Sequence, residues 1–420
     1  MYDVNSNKII NKHIQFAMHD RNIEEIKKRI TEGWKQILRS DFKNISEKIL
    51  GGSPPSMFVS SYAYPKVKVG PLFSPLQTDS AILDHPEKWA GKSIEDIIRY
   101  KLSLIRGTHS IHVKTNLNAD RYIQSLQELT MATRSTEIEV AFERKPKLDM
   151  EEISSRTASD SNSIQFGMAS ELESLKLPSD ISSDKKIQKA FYDIDFRAID
   201  AINYLYEEGI EVSKISKILS LGMIGIKKNR RLVPTKWSIS AIDQIISSDL
   251  IKRTNTFQPL DRTIIYKYAH LGNYYSIVLI PDELWSFEMH EAWINKKGDA
   301  EIETDSEDSR GMKNYPKIGG SYFAARLAVI EFLHYQKRNA SVIVLREIHP
   351  EYILPVGVWQ IREGIREALR MNGTEFDTLD MALSFACNNL TISTNEWIGN
   401  SSLVKSRKSQ SRISDYFGTS

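Results

Sequence analysis

The sequence predicts an α+β fold: mixed sheets with packed helices, in two subdomains, followed by a flexible C-terminal tail. Three observations predict it. Helical and strand periodicities are both present, but they mix without the regular alternation of a doubly wound sheet. The chain has 420 residues, 41% hydrophobic and 26% charged, an ordinary globular composition long enough for more than one core. The last twenty residues drop their apolar periodicity for a Ser, Lys and Arg run. No internal repeat is evident.

Taken in order, Ile23, Ile26, Ile30, Trp34 and Ile37 recur at three and four, which predicts a helix within 21–50. Gly51-Gly52-Ser53-Pro54-Pro55-Ser56 reads as a turn-rich break. Short strands follow at 57–59 and 67–69. Ser93 with Asp96 three residues on marks the N-terminus of a helix over 93–104. Strands are expected at 110–114 and 136–142, the second alternating Ile138, Val140 and Phe142. Residues 145–185, rich in Ser, Asp, Glu and Lys, read as a partly ordered excursion. Helices are expected over 191–208, 212–221, 238–247, 322–335 and 357–370, with strands at 263–268, 274–280 and 341–345. The acidic run Asp299–Asp308 lacks an apolar period and reads as a solvated loop. The domains are then 1–290, 291–400 and a tail, 401–420.

Charge and cysteine usage narrow the function classes. Net charge is +2 and the isoelectric point about 8.3, too balanced to argue for nucleic acid unaided. The single cysteine, Cys387, excludes an intrachain disulfide and a cysteine zinc site. No cofactor or metal is expected. No apolar run approaches the roughly 20 residues of a membrane span, and the first residues lack signal-peptide regions. A cytoplasmic protein without a membrane partner is the expectation.

Lys227, Lys228, Arg230 and Arg231 put four cations into five residues, with Lys236 and Trp237 close behind. Arginine forks suit phosphate, lysines add point charge, and an indole can stack on a base. The alternatives are such an anion site and a basic surface turn with Trp237 in the core. Gly319 and Gly320 open a helix that carries Arg326, which is either a backbone phosphate cradle or a tight packing turn. The Gly51–Pro55 stretch has the same two readings, with Lys66, Lys68 and Arg106 as charge partners. Glu137, Glu139 and Glu143 beside Arg144 and Lys145 place carboxylates on one strand face, which is either a nuclease-like carboxylate–lysine arrangement for Mg²⁺ or a solvated strand edge. No catalytic residue set emerges, and His109, His112, His290 and Glu291 read as ordinary polar positions.

The tail carries the sharpest signal. Gln410, Ile413 at +3, and Tyr416 and Phe417 at +6 and +7 have the spacing of a one-turn 3₁₀ hook. The three apolar side chains form a plug and Gln410 can hydrogen-bond at its edge, the chemistry of a peptide that orders in a preformed groove. The pattern resembles the PCNA-interacting peptide, which docks on sliding clamps.

Five further stretches resemble the archaeal Nre family of DNA repair proteins: Gly52–Val59, Tyr64–Pro71, Asn229–Ser238, Gly319–Arg326 and Pro355–Glu363, in the family's order. The resemblance implies a role in DNA damage repair and association with the clamp PCNA. DNA or a nucleotide is a further expected partner, and a nucleotide- or DNA-phosphate-binding enzyme acting at the clamp is the alternative reading. Many family members begin with a four-cysteine zinc finger; this sequence has no such cysteines, so zinc is not expected.

Overall fold

The computed structural model describes residues 28, 31–32, 45–75, 80–148, 167–312, 314–352 and 356–409. It is α+β, and the chain divides into two compact units. One, the barrel unit, comprises 22–249 and 354–363; the other, the sheet unit, comprises 1–21, 250–353 and 364–420. Among the described residues no helix is long and apolar enough to cross a membrane.

The barrel unit is built on five strands: β1 (Lys48–Val59), β2 (Lys66–Ser74), β3 (Ile105–His112), β4 (Thr136–Phe142) and β5 (Ala169–Lys176). They close in the order β1-β2-β3-β5-β4. β3 and β5 run parallel; the other pairs are antiparallel. α1 (Ile94–Leu102) lies between β2 and β3 in sequence, and α2 (Arg121–Met131) between β3 and β4. Side chains at alternate positions fill the interior, Val67 and Val69 on β2 and Ile138 and Val140 on β4. α1 has the expected N-cap, Ser93 Oγ accepting from Asp96 N–H at 3.1 Å.

Two expectations fail here for one reason. The Gly51–Ser56 stretch is no break but the middle of β1. β1 pairs with β4 over Lys48–Ser53 and with β2 over Gly52–Val59, with a register shift between Gly52 and Ser56. A Cβ on Gly51 would collide with the Ser74 carbonyl, so only glycine admits β2 that close. Pro54 and Pro55 fall in the bulge between the paired positions, where no ladder N–H is needed. Likewise β5 emerges from the expected excursion, because it joins the β3 and β4 edges. Residues 149–166 lie outside the described residues.

Among the described residues this unit also holds α3 (Lys185–Tyr192), α4 (Ala198–Glu207), α5 (Val212–Ser220) and the first part of α6 (Thr235–Thr254). The single helix expected over 191–208 is interrupted at Asp193, whose Oδ1 accepts from the N–H groups of Asp195 and Phe196.

The sheet unit holds β6 (Thr263–His270), β7 (Asn273–Pro281), β8 (Ser286–Ile294), β9 (Ala300–Glu307), β10 (Ala340–Ile348) and β11 (Thr374–Phe376), ordered β11-β6-β7-β10-β8-β9. The β6–β7 hairpin turns on Leu271 and Gly272, both at positive φ (53° and 69°), as a tight twisted turn requires. β10 is buried along its whole length between β7 and β8, which explains its unbroken Val-Ile-Val-Leu run. α7 (Gly320–Gln336) covers one face, where Tyr322 meets Phe287 edge-on at 5.0 Å. α9 (Leu379–Cys387), α10 (Thr394–Asn400) and α11 (Ser402–Ser409) cover the other, packing Ala386, Cys387, Trp397 and Val404 on Val278, Ile343 and Ala292. α8 (Trp359–Arg370) begins in the barrel unit and ends in this one.

The acidic run Asp299–Asp308 is a strand, not a loop. β9 pairs with β8 at the sheet edge, where half-exposed carboxylates suit an outer strand. Residues 402–409, assigned by sequence to the flexible tail, form α11. Its first turn is fixed by Glu288, which accepts from Ser401 Oγ, Ser402 N–H at 2.8 Å, Ser402 Oγ at 2.9 Å and Leu403 N–H at 3.3 Å. Val404 is buried against the sheet, and Arg407 pairs with Asp282.

These ties set the expected response of each unit to mutation and pH. Burial opposes ionisation of Glu288, but His290, whose Nε2 lies 3.6 Å away, and the donors of Ser401 and Ser402 outweigh it and hold the carboxyl at about 2. A depressed carboxyl stabilises above its ordinary value of 4.5 and loses that contribution as pH falls from 4.5 through 2. Glu288→Ala is expected to destabilise by about 2–4 kcal/mol at pH 7, and by less near pH 3, measured by urea unfolding. In the barrel unit, Arg230 donates to the carbonyls of Gly225 (2.7 Å), Phe191 (2.6 Å) and Asp193 (2.6 Å), while neighbouring Arg231 is exposed. Arg230→Ala is expected to cost about 2–4 kcal/mol, and Arg231→Ala under about 0.5 kcal/mol, in the same assay.

Candidate nucleic-acid interface

α5 stops at Gly222, whose φ of 62° ends the helix, and a Cβ there would sit 2.7 Å from the Arg231 carbonyl oxygen. The chain turns through Gly225 and a short 3₁₀ segment, Lys227–Asn229, and runs extended into α6. Two hydrogen bonds lay this run along one end of the barrel. Leu232 N–H donates to the Val113 carbonyl at 3.3 Å, beyond β3, and Val59 N–H at the end of β1 donates to Thr235 Oγ1 at 2.9 Å.

That end of the barrel is also where β1 passes into β2. The loop is braced by Ser60 N–H donating to the Lys68 carbonyl and Lys66 N–H to the Ala63 carbonyl, with Ala63 at φ 61°. Tyr62 is 75% exposed and Tyr64 50% exposed. Tyr64 meets Trp237 edge-on, ring centroids 4.9 Å apart, and Trp237 is half-buried. Lys66 and Lys68 on β2 and His112 on β3 face outward beside it, Lys66 paired in register with His112. Lys114, exposed, follows β3. Among the described residues no carboxylate pairs with Lys66, Lys68 or Lys114. Arg231, exposed, and Lys236 arrive on the docked run.

The structure thus brings Arg231, Lys236 and Trp237 together with tyrosines and lysines that sequence reasoning does not group with them. The overlooked signal is Tyr62-Ala-Tyr64-Pro-Lys66-Val-Lys68, in which aromatics and cations occupy alternate positions. Lys227 and Lys228 are exposed on the 3₁₀ segment, where Lys227 N–H donates to the Ile194 carbonyl. Arg230 is spent on carbonyls. Burial lowers its pKa, opposed by Asp193, and its guanidinium lies 5.7 Å from the Phe191 ring centroid.

The Gly319–Gly320 turn and Arg326 lie in the sheet unit. Gly319 has φ 70° and ψ −135°, a conformation that requires glycine at the start of α7. Arg326 is 4% exposed, and its Nη1 donates to Glu307 Oε2 at 2.7 Å. Glu307 also accepts from the Trp285 indole at 3.0 Å. Arg326 is therefore committed to a buried pair rather than turned outward as a phosphate fork. A cavity of about 770 Å³ opens beside β8 and β9 in this unit. Asp282, Glu288, Asp305, Glu307 and Asp308 in its lining outnumber Arg310, Lys317 and Arg407, which disfavours an anionic ligand.

His85, Glu87 and Glu211 in the barrel unit bring ligand atoms within 4.8 Å of one another. They already serve each other and a helix start: Ser213 N–H and Oγ donate to the two Glu87 oxygens at 3.0 and 2.9 Å, and His85 Nε2 lies 2.7 Å from Glu211. Glu139 of the carboxylate strand pairs with Lys176 at 2.9 Å on the surface. Gln410, Ile413, Tyr416 and Phe417 lie outside the described residues.

Comparison with known proteins supplies the family. The archaeal Nre N-terminal model matches residues 25–297 and the archaeal Nre C-terminal model residues 307–416. DNA repair protein NreB of Archaeoglobus fulgidus is 34% identical over 367 residues, 86% of this chain and 90% of that protein. DNA repair protein NreA of the same organism is 35% identical over 346 residues, 81% and 85% of the two chains. DNA repair protein NreA of Haloferax volcanii is 31% identical over 352 residues, 80% and 82%. No solved structure matches. With both family models matched in order across nearly the whole chain, this protein belongs to the archaeal Nre family.

Proposed function

We propose that this protein is a DNA repair factor held at DNA by the sliding clamp PCNA through Gln410, Ile413, Tyr416 and Phe417. The repair role is supported by three relatives, each named a DNA repair protein and each covered over more than four fifths of its length. The observation that carries the clamp reading is the placement of the motif. Gln410 follows directly on α11, whose start is pinned by Glu288 and whose Val404 is buried. A peptide leaving an anchored helix is presented at a fixed root, and Lys405 and Arg412 add positive charge suited to an acidic clamp rim, while Arg407 and Lys408 pair with Asp282 and Asp380.

The alternative is a phosphate-processing enzyme built on Arg230, Arg231, Lys236 and the Gly319–Gly320 turn. Of these, Arg230 is committed to the carbonyls of Gly225, Phe191 and Asp193, which weakens that reading.

Calorimetric titration of the cognate clamp tests the proposal with three proteins: the intact chain, a chain ending at Ser409, and Tyr416→Ala/Phe417→Ala. Ending at Ser409 leaves α11 whole. The intact chain is expected to bind on the order of micromolar, and both variants at least roughly tenfold more weakly. Equal binding by all three would exclude the tail as tether.

A further inference from the structure

We propose that the barrel unit binds single-stranded DNA across the outer end of β2 and β3 and the loop that precedes β2. The strand order β1-β2-β3-β5-β4, β3 parallel to β5, and a helix between β3 and β4 together make the five-stranded Greek-key barrel known as the OB-fold. Barrels of this topology take oligonucleotides or oligosaccharides on the β2–β3 face and the flanking loops, but topology alone fixes no ligand. The side chains on this barrel do.

The β2–β3 face has two halves of different character. Toward one end, Leu72 and Phe58 are buried with Leu83 and Leu104, and Arg106 lies 5.5 Å from the Phe58 ring centroid. The chain between β2 and β3 covers that half. Toward the other end Lys66, Lys68 and His112 are exposed, and Ser110 is half-exposed. Lys66 and Lys68 share one face about 6.6 Å apart along the strand, a spacing that follows successive phosphates of an extended strand. At this open end stand Tyr62 and Tyr64, the first three-quarters and the second half exposed, on a loop braced by backbone hydrogen bonds.

An exposed tyrosine pair stands beside lysines that no carboxylate among the described residues pairs with. It fits a ligand that presents flat aromatic faces and a chain of negative charges together. A single-stranded nucleic acid does so; a duplex hides its base faces in the stack and offers only phosphates. Trp237, edge-on to Tyr64, extends the aromatic surface, and Arg231 and Lys236 extend the charge. Only the choice of DNA over RNA rests on the repair role proposed above; the site itself rests on the geometry.

The test is fluorescence anisotropy with a labelled oligothymidylate, a blunt duplex of equal length and an oligouridylate, on the full chain at several salt concentrations. The expected result is binding of oligothymidylate more tightly than duplex and at least as tightly as oligouridylate. Tyr62→Ala/Tyr64→Ala is expected to weaken it roughly tenfold or more. Lys66→Ala/Lys68→Ala is expected to reduce the slope of log affinity against log salt by about 1.4, from about 0.7 per phosphate. Both pairs are largely exposed, and urea unfolding of each variant checks that the fold is kept. No binding by the intact chain, preference for duplex or oligouridylate, or unchanged affinity in the tyrosine variant overturns the proposal. Clamp titration of the same preparations separates the two readings: DNA binding lost with clamp binding kept points to this site, and the reverse pattern points to the tail.

Discussion

One strand serving two neighbours is the constraint on which the barrel unit depends. β1 gives its first half to β4 and its second half to β2, and the register shift between Gly52 and Ser56 is where it changes allegiance. A straight strand would leave an open edge. The bend closes the circuit, and closure decides which residues meet at the far end: the last residue of β1, Val59, reaches Thr235, and the chain beyond β3 reaches Leu232. The basic run of the sequence is therefore laid against the tyrosine loop by the hydrogen bonds of Leu232 and Thr235 to the barrel.

Buried or half-buried charge is used in the same way in both units, to hold chain segments in place. Glu288 gathers the amide and hydroxyl donors at the start of α11, and Glu347 accepts from the N–H groups of Thr391 and Ile392, both at 2.8 Å. Arg230 does the converse with carbonyls. Such groups would be costly if left unpaired, so each fixes a loop that periodicity alone would leave undetermined. Arg231 and the lysines of β2, by contrast, face solvent.

What the sequence discloses follows from what each residue type can do in only one way. The Ser93 cap with Asp96, the alternation Ile138, Val140, Phe142, and the unbroken apolar run of β10 each have a single economical reading, and the structure contains all three. Gly51–Ser56 has two, a turn or a bulged strand, and only the presence of β2 and β4 on either side selects the second. β5 and β9 are invisible in the sequence because edge positions and half-exposed faces leave little apolar period to detect. Arg230 and Arg231 show the limit most sharply: adjacent and identical in type, one is internal cement and the other faces solvent. No pattern in the chain distinguishes them; the position of the Phe191 and Asp193 carbonyls does.

The anchoring of α11 sets a length scale. Phe417 lies eight residue steps beyond Ser409, and covalent geometry limits that span to about 28 Å. A partner that grips Phe417 therefore keeps the sheet unit within a sphere of about that radius. Inside so small a volume, a second site on such a partner meets this chain at an effective concentration on the order of millimolar. Weak contacts elsewhere on the chain then suffice for lasting engagement.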